Sequence, residues 1–140
     1  TVVAEFRPGQ GTMGLSLGYT RPDGLNQLLK RQTSELSTRA VEPHLVAHQS
    51  GVRFLLASFQ PSDARFIKEG KAFASLTRTL AYTCNFLLLD LGTAITPIAE
   101  AVLPLCDRVI VVVEPIPTTL TQAKALFQDL ENMGIGAGRR

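Results

Sequence analysis

The chain has 140 residues with 45% hydrophobic and 19% charged positions and a net charge of +2, which describes a globular domain with a real core and excludes a disordered chain. The charge is too small, and the basic residues too scattered apart from Arg139-Arg140, to argue for a nucleic-acid partner. No apolar run approaches the ~18 residues that span a bilayer, and no signal peptide is visible.

The chain opens on a strand-like segment, TVVAEF, over residues 1–6. Residues 7–14 (RPGQGTMG) read as a glycine-rich turn, and 13–19 as one or two helical turns. The tetrapeptide Arg21-Pro22-Asp23-Gly24 is a turn signal. A helix follows over 25–31 with Leu25, Leu28 and Leu29 on one face, then a short second helix to about Val41 with Ser34 or Ser37 as its cap. Glu42-Pro43 breaks the chain, residues 45–48 read as extended, and VRFLLA over 52–57 as the next strand. Pro61-Ser62-Asp63 opens a helical turn, and 71–82 a longer helix with Phe73, Leu76, Leu80 and Ala81 near helical spacing.

Phe86, Leu87, Leu88 and Leu89 then lead into Asp90. So apolar a strand is expected to be buried on both faces, as in a parallel sheet between helices. A loop over 91–96 precedes a helix that starts at Pro97 and runs to about Leu105. The run RVIVVVE, 108–114, reads as another strand ending in an acid, followed by Pro115 and Pro117 and by a helix to about Met133 capped by Thr118 or Thr119. Its apolar positions Leu120, Ala123, Leu126, Phe127 and Leu130 form an ordinary core-facing stripe. Alternation of this kind predicts an α/β fold, a doubly wound and mostly parallel sheet flanked by helices. Both ends look cut, so the chain is expected to be the middle segment of a larger domain.

An acid at the C-terminal end of a parallel strand sits where open α/β sheets bind ligands. Asp90 is therefore a candidate magnesium ligand, with the Gly92 N–H able to approach a phosphate. The alternative is that Asp90 only caps the loop behind it. Glu114 and Pro115 either line a base pocket or simply turn the chain. Gly9, Gly11 and Gly14 spell the dinucleotide fingerprint G-x-G-x-x-G, but Arg21-Pro22-Asp23-Gly24 interrupts the following helix and no acid-terminated second strand comes about twenty residues later. None of the lysines Lys30, Lys68, Lys71 and Lys124 stands in a G-K-[ST] context, so a phosphate-binding loop of the Walker A type is absent from these residues. No Ser, His or Cys sits in a recognisable triad. Cys84 and Cys106 lack metal-ligand spacing and read as buried reduced thiols; zinc would require both to converge with His44 and His48.

Taken in order, these segments resemble the MinD/ParA superfamily of deviant-Walker P-loop ATPases, closest to the CpaE/TadZ branch of pilus assembly and polar localisation. The matching stretches are Glu5-Phe6-Arg7-Pro8-Gly9 with Leu17-Gly18, Gly24-Leu25 with Leu28-Leu29, and 48–55 (HQSGVRFL). Further matches are 86–94 as the Walker B strand and switch II, and 106–109 through Glu114-Pro115 to Leu130. The resemblance implies a single ATPase-like domain over 1–140, of the SIMIBI type but incomplete. It implies ATP and Mg2+ in the parent family, with Gly9, Asp90, Gly92, Glu114 and Pro115 near nucleotide and Asp90 near the metal. It also implies a homodimer, protein partners in a pilus, secretion or signalling system, and a cytoplasmic location at the inner membrane or cell pole. The family acid that positions the attacking water is replaced here by Arg7, with Glu5 the nearest substitute. Hydrolysis is therefore not expected of this chain, and neither is bound ATP. The family's first strand is central to its sheet, so a piece without it would leave an edge open to pairing with another copy.

Overall fold

A computed structural model describes residues 1–139. It separates into two compact units, Thr1–Val102 and the residues from Leu103 onward, each described by itself below.

The first unit is α/β. Its strands are β1 (Val2–Glu5), β2 (Val46–Ala47), β3 (Arg53–Leu55) and β4 (Leu87–Asp90). They lie in the order β2-β3-β1-β4, with β1 parallel to both β3 and β4 and only β2 antiparallel. The helices are α1 (Met13–Ser16), α2 (Gly24–Leu29), α3 (Thr38–Val41), α4 (Gly70–Ala81) and α5 (Pro97–Val102). Short 3-10 segments cover Thr33–Glu35, Glu42–His44 and Pro61–Lys68. The mostly parallel open sheet flanked by helices agrees with the coarse expectation.

Several local signals act as expected. The Ser37 hydroxyl accepts from the Ala40 N–H at 3.3 Å and caps α3. Pro97 opens α5, where a missing N–H costs nothing. Phe73, Leu76 and Leu80 of α4 are fully buried, and Phe73 meets Phe6 edge to face at 4.9 Å. Leu25, Leu28, Leu55, Leu56, Ile98 and Val102 complete this core.

β4 departs from expectation. It ends the sheet, and Phe86 and Leu88 are 70% and 51% exposed, so the run before Asp90 is not buried on both faces. A second correction concerns 108–114, which forms no strand. Ile110 and Val112 in it are 83% and 92% exposed. β-branched residues favour a pleated surface only where a neighbouring strand supplies one.

The second unit holds α6 (Pro117–Asn132) and short 3-10 segments at Leu103–Leu105 and Ala137–Arg139. Ile116 is the N-cap of α6 and Pro117 its first residue, in place of a threonine cap. The Thr119 hydroxyl instead donates back to the Glu114 and Ile116 carbonyls. Of the expected stripe on α6, Ala123 and Leu130 are buried while Leu120 is 48% exposed. Ile135 is buried beyond the helix, and its N–H donates to the Leu130 carbonyl at 2.8 Å. No helix among the described residues is long and apolar enough to cross a membrane.

Candidate functional site at the strand tips

β1 and β4 run parallel in a register that places Glu5 beside Asp90. Their C-terminal ends, with the loop after each, form the edge where open α/β sheets receive ligands. Of the sequence-predicted site residues, this edge brings together Glu5, Arg7, Gly9, Asp90 and Gly92.

Glu5 is fully buried. Its Oε1 accepts the N–H groups of Thr12 at 2.8 Å and Met13 at 3.0 Å, and its Oε2 accepts the Ala57 N–H at 3.1 Å. One carboxylate thus ties the start of α1 and the end of β3 to the end of β1. Charge-assisted bonds of this kind are the stronger class and satisfy donors that would otherwise be orphaned at a helix start. The Thr12 and Met13 N–H groups are the donors that would hold a pyrophosphate in a dinucleotide fold. Here the anion on them is the protein's own side chain.

The three glycines of the fingerprint face the chain itself. A Cβ on Gly11 would lie 2.2 Å from the Ala57 carbonyl oxygen, one on Gly9 2.7 Å from the Ala64 nitrogen, and one on Gly14 2.4 Å from Pro22 Cβ. Glycine is required at these positions by close approach of the segment 9–14 to neighbouring backbone and to the Pro22 side chain.

Asp90 has both oxygens engaged. Oδ1 accepts the Gly92 N–H at 3.0 Å, and Oδ2 stands 3.6 Å from Arg7 Nη1. The Arg7 side chain lies close over Gly92, whose Cβ would be 3.4 Å from Nε. That Nε is shielded from solvent and has no hydrogen-bond partner. Asp90 therefore caps its own loop and meets a fixed cation where the magnesium reading requires a divalent ion. A metal that needs carboxylate oxygens does not fit a tip whose one acid is paired with a guanidinium and whose other acid is filled by backbone amides. Among the described residues no cluster of three or more His, Cys, Asp or Glu side chains could hold a metal, so the four-residue zinc arrangement is not formed either.

Glu114 and Pro115 belong to the second unit and are exposed. They follow an irregular segment, so the adjacent strand tip expected there does not exist. The Glu114 backbone accepts from the Ile116 N–H and the Thr119 hydroxyl, which makes it part of the lead-in to α6. Cys84 and Cys106 are half-buried. Burial pushes the Cys106 thiol above its usual value of 9.0; the Arg139 guanidinium opposes that and Asp107 adds to it.

Two surface cavities lie elsewhere. One of about 360 Å³ is lined by Arg31, Glu35, Ser37, Arg39, Ala40, Pro43 and His44. The other, about 170 Å³, includes Tyr19, Arg21, Pro22 and His44. Neither is lined by Glu5, Arg7, Asp90 or Gly92. The anchoring role of Glu5 escaped the sequence reading because its partners stand seven, eight and fifty-two positions away.

Comparison with protein-family models, with curated proteins and with solved structures finds no match.

Proposed function

We propose that the chain is a degenerate MinD/ParA-like domain of the CpaE/TadZ kind, serving as a localisation or assembly module and not as a nucleotide hydrolase. Its partners would be proteins of a pilus, secretion or signalling system at the cytoplasmic face of the inner membrane or the cell pole, and it would act as a homodimer. The observation that carries this reading is the Arg7–Asp90 pair at 3.6 Å. An arginine beside the strand-tip acid neutralises it without a metal, and a guanidinium cannot act as the base that activates water. In the parent family ATP and Mg2+ occupy this edge; neither is expected on this chain.

A second reading keeps the domain active, with a Walker A loop supplied from outside these 140 residues and Glu5 in place of the acid lost at Arg7. The three N–H groups on the Glu5 carboxylate speak against it, because releasing that carboxylate for catalysis would detach α1 and β3. The dinucleotide reading is weaker still, since Glu5 already fills the amides it would use.

Calorimetric titration of ATP with Mg2+ into the 140-residue chain tests the proposal. No binding is expected. A dissociation constant of about 1 mM or below, equivalent to about −4 kcal/mol, would overturn it.

A further inference from the structure

Arg21, Arg31 and Arg39 of the first unit make no ion pair among the described residues. Arg31 and Arg39 line the cavity of about 360 Å³, and Arg21 lines the one of about 170 Å³. Pro43 and His44 belong to both linings, so the two cavities adjoin at His44. The carboxylate in each is engaged by a near neighbour. Glu35 Oε2 accepts the Gln32 N–H at 3.1 Å, and Asp23 Oδ2 accepts the Gln27 side-chain amide at 3.1 Å. The larger cavity thus sets two guanidiniums against one carboxylate. Most of its wall is the connection from α2 to β2, which is fixed from beneath. Leu36 and Val41 are buried, and the Thr79 hydroxyl donates to the Leu36 carbonyl at 2.7 Å. Ser37 Oγ accepts the Ala40 N–H at 3.3 Å, which leaves its hydroxyl proton to give. The smaller cavity has Tyr19, Pro22, Val46 and Leu56 among its walls and is the more apolar in residue type.

We propose that the two cavities form one site for a small organic phosphate monoester, with the phosphoryl group at Arg31 and Arg39 and the organic part beyond His44 against Tyr19. A guanidinium presents its N–H groups in a fixed fork that matches phosphate oxygens, and two of them balance a dianion. The Ser37 hydroxyl and one imidazole N–H of His44 supply further donors. Because the arginines stand on an anchored connection, little ordering is needed when the anion arrives. Glu35 opposes the anion and holds the affinity in the millimolar range. The combined volume is that of a small-molecule site, whereas a stable protein partner would need about 800 Å² of surface on each side. The site stands apart from the nucleotide reading, since Glu5, Arg7, Asp90 and Gly92 line neither cavity.

Phenyl phosphate titrated into the isotope-labelled 140-residue chain, followed by amide chemical shifts, tests it. Saturation is expected with a dissociation constant of about 1–10 mM, with the shifted amides within 31–44 and none at Glu5, Asp90 or Gly92. Arg31→Gln and Arg39→Gln alter exposed side chains, and each should weaken binding by about fivefold or more. Lys124→Gln removes the same charge from an exposed position on α6 and should leave the affinity unchanged. Tyr19→Ala should bring phenyl phosphate down to the affinity of inorganic phosphate and leave inorganic phosphate itself unaffected. Malonate, a dianion without a phosphoryl group, should bind at least about threefold more weakly than phenyl phosphate. No saturation below about 50 mM, shifts confined to the strand tips, or equal weakening by Lys124→Gln would each overturn the proposal. So would malonate bound as tightly as phenyl phosphate, or a phenyl phosphate affinity that Tyr19→Ala leaves unchanged.

Discussion

Arg7 Nη1 stands 3.6 Å from Asp90 Oδ2, an ion pair between the loop after β1 and the tip of β4. Both side chains keep about a third of their surface, so the pair is worth only about 0.2–1 kcal/mol. Its consequence is chemical, because it neutralises the one strand-tip acid whose oxygens are not filled by buried amides. Arg7→Asp would replace the cation with a second carboxylate and give the edge the oxygen donors that Mg2+ and Mn2+ prefer. The variant is expected to gain thermal stability on adding millimolar Mn2+, while the unaltered chain does not. A melting temperature equally insensitive to Mn2+ in both would remove Arg7 as the residue that excludes a metal.

Glu5 is the larger structural commitment. Glu5→Ala leaves the N–H groups of Thr12, Met13 and Ala57 without their acceptor and opens a buried void. The cost should be about 3–5 kcal/mol in urea unfolding. Glu5→Gln keeps the shape but loses the charge and turns one acceptor into a donor facing an N–H, so about 1–3 kcal/mol is expected. If Glu5 were instead a dispensable acid waiting for a substrate, both variants would unfold at the same urea concentration as the unaltered chain.

The contrast between Glu5 and the run 108–114 shows what could be read from the sequence. Local rules placed β1, β3, β4, α3, α4 and α5, because apolar spacing, Ser37 and Pro97 act within a few residues. They failed at 108–114, where the residues have the strongest strand character in the chain and no strand forms. A strand is a pairing, and side-chain propensity cannot supply the neighbour. The same limit explains β4: four apolar residues before an acid suggest a central strand, yet edge or centre depends on what lies beside it. At the site, Asp90 and Arg7 were legible as residue types in unusual places. Their mutual distance, and the Ala57 N–H on Glu5, depend on the packing of segments far apart in the chain.

Gly11 tests whether the fingerprint glycines serve packing. A Cβ there would meet the Ala57 carbonyl oxygen at 2.2 Å, a distance backbone atoms cannot accept without moving. The Ala57 backbone also donates to Glu5, so displacing it disturbs the anchor as well. Gly11→Ala should cost about 2–4 kcal/mol, in the range of overpacked core sites. Gly18→Ala is the useful contrast. Its Cβ would meet nothing within 4 Å, although its φ of +83° still carries backbone strain. About 1–2 kcal/mol is expected there, from conformation alone. Equal losses at the two positions, followed by urea unfolding, would mean that contact with Ala57 contributes nothing.

Cys106 gives a pH dependence whose sign follows from burial. Its thiol titrates above 9.0 in the folded chain because burial disfavours the thiolate more than Arg139 favours it. As pH rises past the unfolded value, the unfolded chain loses this proton first and binds fewer protons than the folded one. The contribution of Cys106 is therefore fully present below about pH 9 and is lost as pH rises through the folded value. Urea midpoints between pH 8 and pH 10.5 should fall more steeply for the unaltered chain than for Cys106→Ala. At pH 7 the same protonation should make Cys106 react with iodoacetamide more slowly in the folded chain than in urea, since the thiolate is the nucleophile. A folded-state rate at or above the unfolded one would show that Arg139 outweighs burial and would reverse the predicted slope.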